Sequence, residues 1–214
     1  MGSQVVLDLI ASSLTFGTLL LMAIRMNGTV SESMQMYNGD LLVQSNMITV
    51  VNMIEYDFRK IGYCANPANF PDPTQSIIYA DSTSIKFYTD LSTAAYPNGD
   101  GTPDIVYYYV GPTSELASTP NPNDRILYRV VNNAPPKGAN LGVTEFGLLY
   151  FSALGDTLHF PITHPSQIWA MQITVQVQNS AAPTLRYNTG KFDTQYSQAF
   201  WRQVRLASQN LKSR

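Results

Sequence analysis

Sixteen consecutive residues without a charge, Leu9 to Ile24, lie inside the stretch VVLDLIASSLTFGTLLLMAIRM that runs from Val5 to Met26. As a helix they rise ~24 Å, a little less than a ~30 Å hydrocarbon core, so Asp8 and Arg25 are expected at the two interfaces or against partners. A signal peptide fits poorly, because no basic region precedes the run and no small-x-small cleavage pattern ends it. The segment is therefore expected to stay in the mature protein.

Helical spacing continues from Arg25 to about Ile61 without a proline, with Val30, Met34, Tyr37, Leu41, Ile48, Val51, Glu55, Phe58 and Ile61 recurring at three, four or seven residues. Gly62, then Asn66 with Pro67, supply the stop, since glycine accepts the left-handed conformation and proline cannot extend a helix. If unbroken, the rod measures roughly 85 to 90 Å. Gly17, Gly28 and Gly39 recur on nearly one side of it. They either let helices approach closely or cost ~1 kcal/mol each, and Asn27-Gly28 and Asn38-Gly39 are the expected loose points.

From Ala65 the texture changes to short apolar runs separated by Pro, Gly, Asn and Asp, the punctuation of a sheet. Candidate strands cover Ser76 to Tyr79, Ser84 to Tyr88, Ile105 to Val110, Ile126 to Val131, Thr144 to Ser152, Thr157 to Phe160, Ile168 to Gln178 and Arg202 to Ala207. In IWAMQITVQVQ, Ile173, Val175 and Val177 alternate inward against Gln172, Thr174, Gln176 and Gln178 outward. The fold class expected is α+β: a helix over 1–62 as membrane anchor and filament core, and an antiparallel β-rich head over 63–214.

Only 13% of the residues are charged, about half the ~25% usual in soluble domains, and neutral polar side chains supply the wetting instead. A net charge of -2 provides no field for gathering nucleic acid, which is not expected as the main partner. The single cysteine, Cys64, forms neither an intrachain disulfide nor a cysteine-rich metal site. No nucleophile elbow, phosphate loop or zinc motif occurs, and no catalytic residue is assigned; His159 and His164, with Ser152, Ser166 and Asp156 nearby, read as loop residues before they read as a triad.

Asn98, Asp100 and Asp104 in NGDGTPD are candidate calcium ligands, because oxygen donors alternating with turn glycines can wrap a hard cation; the simpler reading is a tight turn before a strand. No other cofactor is expected. Tyr88, Tyr96, Tyr107, Tyr108, Tyr109, Tyr128 and Tyr150 suit half-buried strand positions or a stacking surface for sugars or single strands.

An apolar N-terminal segment running into a long helix and then a β-rich head resembles type IV pilins and the pseudopilins of type II secretion. EYDFRKIGY over 55–63 is similar to the helix end of large minor pilins and J-type pseudopilins. SIKFYTDL, NGDGTPDIVYYYV, NDRILYRVVN, GVTEFGLLYFSALGD and WRQVRLASQNL resemble that group's order of strands and turns. The resemblance implies a structural subunit with no enzymatic activity. It would rest in the inner membrane and then join identical or homologous subunits in a homopolymeric cell-surface filament or periplasmic pseudopilus.

Such precursors carry a basic leader and a glutamate at the fifth mature position. Here only Met1-Gly2 precede Ser3, and Asp8 matches that glutamate in chemistry but not in register. The implied assembly residues are Asp8, Leu14, Phe16, Gly17, Leu19, Leu20, Ile24, Arg25 and Gly28. A carboxylate in apolar helix needs protonation, an interface or a cation. Arg25 lies ~25 Å away on the same helix, so only a staggered neighbour could bring the two together. Two other readings stand beside this one: an anchored surface β domain binding carbohydrate or calcium, and a tethered hydrolase using His159 or His164.

Overall fold

In the computed structural model the backbone is described for residues 2–180, 184–188, 191–195, 198–206 and 209–212. Helix α1 spans Gly2–Arg59 without interruption. It passes through Asn27-Gly28 and Asn38-Gly39, so the expected loose points do not break it. A single glycine costs a helix only ~1 kcal/mol, and hydroxyls at Thr29, Ser31 and Ser33 bond back to carbonyls four residues earlier. The chain divides inside this helix into two compact units, one ending at Leu41 and the other spanning Leu42–Arg214.

Among the described residues of the second unit, nine strands follow: β1 Ile77–Ala80, β2 Ser84–Thr89, β3 Asp104–Val110, β4 Arg125–Val131, β5 Lys137–Phe151, β6 Ala170–Gln178, β7 Thr184–Asn188, β8 Lys191–Gln195 and β9 Gln198–Leu206, with a short helix α2 at Gln209–Lys212. Seven form one sheet in the order β1-β2-β3-β4-β5-β6-β9, and β7 pairs with β8 apart from it. Every pairing among the described residues is antiparallel. The chain is thus α+β, a long N-terminal helix followed by an antiparallel β-rich region.

Strand β5 is the pivot. Its first half pairs with β4 up to Val143, and its second half pairs with β6 from Val143 to Phe151, with the register slipping between Val143 and Glu145. Gly142 makes the change of partner possible: its φ is +69°, and a Cβ there would stand 2.2 Å from the carbonyl oxygen of Gln178. Only a glycine fits that approach without moving β6.

The inner face of the sheet packs on the last turns of α1. Val43, Met47, Val50, Ile54 and Phe58 are buried there, with Ile61 just beyond. Phe58 meets Phe87 and Tyr108 edge to face, each at 5.5 Å between ring centroids. This stripe differs from the one expected: Ile48 is exposed and Val51 only half-buried. Two apolar stripes interleave on the helix, and the sheet covers the one that also carries Asp57.

After Arg59 the chain turns through Gly62 at φ +75°, whose N–H donates to Tyr88 O at 2.8 Å. Asn66 and Asp72 then cap two short 3-10 turns, each followed by proline.

The strand expected over 157–160 is not present. Ser152 closes a tight turn by accepting the N–H groups of Leu154 and Asp156 on its hydroxyl, and only Thr157 bridges back, to Phe151. Thr174, expected to face water, is buried on the strand's other face. Ala207, the last residue of the strand expected near the C-terminus, lies outside the described residues.

Candidate functional site

The residues singled out for assembly all fall on the first unit's helix. Leu14, Phe16, Leu19, Leu20 and Ile24 are between 51% and 68% exposed, and Val5, Val6, Leu7, Leu9, Ile10, Leu21 and Met22 share that exposure. At 100° per residue these side chains point to every side of the helix, which marks a segment made to be surrounded by apolar material. Gly17 and Gly28 have no atom within 4 Å of where a Cβ would stand, so a neighbouring helix could approach there closely.

The polar side chains in the run do not spoil it. Ser12 donates to Asp8 O at 2.6 Å, Ser13 to Leu9 O at 2.8 Å, Thr15 to Ala11 O at 3.0 Å and Thr18 to Thr15 O at 2.9 Å. Each hydroxyl is satisfied inside the helix, which is what a hydrocarbon surrounding requires. The charges that remain are Asp8 at one end and Arg25 at the other, both exposed. By length and composition this helix can cross a membrane.

Each candidate calcium residue accepts hydrogen bonds within its own part of the fold. Asp104 accepts Leu91 N–H at 3.0 Å and the Asn132 amide at 2.5 Å, Asp100 accepts Thr102 N–H at 2.8 Å, and Asn98 gives its carbonyl to the Tyr63 hydroxyl at 3.0 Å. The centre of this loop is Asp90, which sequence reasoning did not single out. Its buried carboxylate accepts the backbone N–H groups of Ala65, Asp100 and Gly101 at 2.9 to 3.0 Å. Gly99, at φ +98°, leaves room for it: a Cβ would stand 2.2 Å from Asp90 Oδ1. Among the described residues, no group of three or more His, Cys, Asp or Glu side chains converges to hold a metal.

The buried charge of α1 has its own partners. Asp57, 2% exposed, accepts Arg129 Nε at 2.5 Å, Arg129 Nη2 at 3.2 Å and the Tyr108 hydroxyl at 2.6 Å. Burial, and then the carboxylate of Asp57, push the Tyr108 hydroxyl far above the usual phenol range. A hint was legible: Asp57 stands three residues after Ile54 and one before Phe58, inside the buried stripe, where a carboxylate must find a cation.

Beside the helix end, Lys60 sits over the Tyr56 ring at 4.6 Å and donates to the Tyr56 hydroxyl at 3.0 Å, which lowers that phenol. Burial raises the Cys64 thiol.

Of the seven candidate tyrosines, Tyr96 is exposed and Tyr88 meets Phe70 edge to face, and the other five separate by face. Tyr108 and Tyr150 belong to the core, whereas Tyr107, Tyr109 and Tyr128 stack on one another across the outer face at 4.9 and 5.0 Å. His159 and His164 lie in exposed loops, and Ser152 serves its own turn. No family model, no curated protein and no solved structure matches the chain.

Proposed function

We propose that the chain is a structural, non-enzymatic subunit of a type IV pilus-like or pseudopilus filament, held in the membrane by residues 5–26 until it assembles with copies of itself. The carrying observation is that a single α-helix has two differently finished parts. From Leu42 onward one stripe is buried under a sheet; from Val5 to Met26 apolar side chains face every direction and remain exposed.

Leaving so many large side chains in water costs ~1.5 to 3 kcal/mol each, so the segment needs cover. Lipid covers it in a membrane, and neighbouring helices cover it in a filament, gaining packing where lipid gave only solvation. Asp8 supplies what apolar packing lacks, a fixed register. A carboxylate that enters an apolar column as a charge needs a neighbour to bring a cation to it, and Arg25 of a staggered copy or an N-terminal amine has the right charge.

The test is Asp8→Ala in the full chain. Filament yield is expected to fall to background while the melting transition of the β-rich unit is unchanged, because Asp8 contributes nothing to that core. Normal filament yield from the variant would refute the role given to Asp8. A Phe16→Asp variant extends the test to the apolar surface and should abolish filaments in the same way.

A further inference from the structure

Three tyrosines form a ladder on the outer face of the sheet. Tyr107 and Tyr109 stand two apart on β3 and so share a face, and Tyr128 on β4 lies directly opposite Tyr109 in the register. Tyr107 stacks on Tyr109 at 4.9 Å between ring centroids and Tyr109 on Tyr128 at 5.0 Å, with planes 28° and 25° apart. All three are half-buried, unlike Tyr108 between them in sequence, which points into the core.

The two ends of the ladder carry opposite charges. Lys86 on β2 stands opposite Tyr107, whereas the Tyr128 hydroxyl donates to Glu115 Oε2 at 2.8 Å. Gly111 makes room for that pair: a Cβ there would strike both the Glu115 carboxylate and the Tyr128 ring. A phenol gives up an electron readily only when its proton leaves as well, and a carboxylate already bonded to the hydroxyl is a proton acceptor in place. Coulomb attraction then favours electron loss at the Glu115 end over the Lys86 end. Tyr56 and Tyr63 show the reverse arrangement, with the Lys60 cation 4.6 and 5.7 Å from their ring centroids, where it opposes electron loss.

We propose that Tyr109 and Tyr128 are a site of dityrosine cross-linking, a covalent rung from β3 to β4 made by one-electron oxidation with hydrogen peroxide and a haem peroxidase. Each phenol loses one electron and its hydroxyl proton, and Tyr128 passes its proton to Glu115. The two radicals join through a ring carbon ortho to each oxygen. The hydrogens on those carbons then move to the oxygens and restore both phenols. One peroxide molecule takes up the two electrons and the two released protons and leaves as two waters. The inference concerns the β-rich unit and does not depend on filament assembly.

The experiment treats the full chain in detergent micelles, mixed with an equal amount of isotope-labelled chain, with a haem peroxidase and a single equivalent of hydrogen peroxide. Trypsin cuts after Arg125, so Tyr109 and Tyr128 fall in different peptides and a bond between them is read by mass spectrometry. The expected product joins those two peptides within one isotope class. It should be absent from Tyr109→Phe and from Tyr128→Phe, which keep the rings and so the packing, and present in Tyr107→Phe. Glu115→Gln should form it several-fold more slowly, because an amide takes no proton. Failure to form dityrosine overturns the proposal, as does dityrosine found only between chains or only at other tyrosines. A Glu115→Gln chain that reacts at the wild-type rate overturns it as well.

Discussion

Replacing Arg129 with methionine tests how the sheet holds the end of α1. The substitution keeps the aliphatic bulk and removes the guanidinium, leaving Asp57 at 2% exposure with only the Tyr108 hydroxyl. Stranding a buried carboxylate costs roughly 3 to 5 kcal/mol. The side chain of Arg129 is itself 27% exposed, so water already screens part of the pair and the lower end, about 3 kcal/mol, is expected. That corresponds to a fall in Tm of about 6 to 12 °C for a unit of this size.

The double variant Asp57→Leu, Arg129→Met should recover much of the loss. It removes both charges and leaves only the Tyr108 hydroxyl to lose its acceptor, a cost of about 1 to 3 kcal/mol. The assay is urea unfolding of the full chain in micelles, followed by tryptophan fluorescence, for the wild type, both single variants and the double. An Arg129→Met variant within about 0.5 kcal/mol of the wild type, or a double variant that is the sum of the two singles, would refute the reasoning.

Further outcomes follow from the same structure. Gly99→Ala should destabilise the β-rich unit by at least about 1 to 3 kcal/mol in the same urea series, because the residue sits at positive φ and its Cβ would meet the Asp90 carboxylate. Cys64 should react slowly with a thiol reagent near pH 8 in the native chain and fully once unfolded, because burial raises its thiol. Tyr108 and Tyr150 are raised in the folded state, so the unfolded chain releases their protons first. The stability they contribute is complete below the ordinary phenol pKa of about 10 and is lost as pH rises above it, which pH-dependent melting would show as a steep alkaline fall.

Much of the fold was legible because its signals are local. Absence of proline up to Pro67 and the arrival of Gly62 set the helix and its end, and alternation in β6 marked which residues face the core, apart from Thr174. Tertiary choices were not legible. Ile48 and Val50 are equally apolar, and only the position of the sheet decides that Val50 is buried and Ile48 is not. The first half of β5, from Lys137 to Gly142, has two glycines and an asparagine and reads as loop; it is a strand because β4 lies alongside it. Strands β7 and β8 are five residues each with few apolar positions, too short for a period to show.

The site divides in the same way. The apolar run is a property of consecutive residues and could be read directly. Asp90 gains its character from residues 10 to 25 positions away, and nothing in its immediate neighbours distinguishes it from the exposed aspartates of ordinary turns.

Electron microscopy of the purified full chain during detergent removal tests the central claim most directly. The account predicts continuous filaments whose axis is filled by the helices of residues 5–26 from successive copies, with the β-rich units outside. Dispersed single particles that keep a lipid or detergent belt around that segment under the same conditions would contradict it.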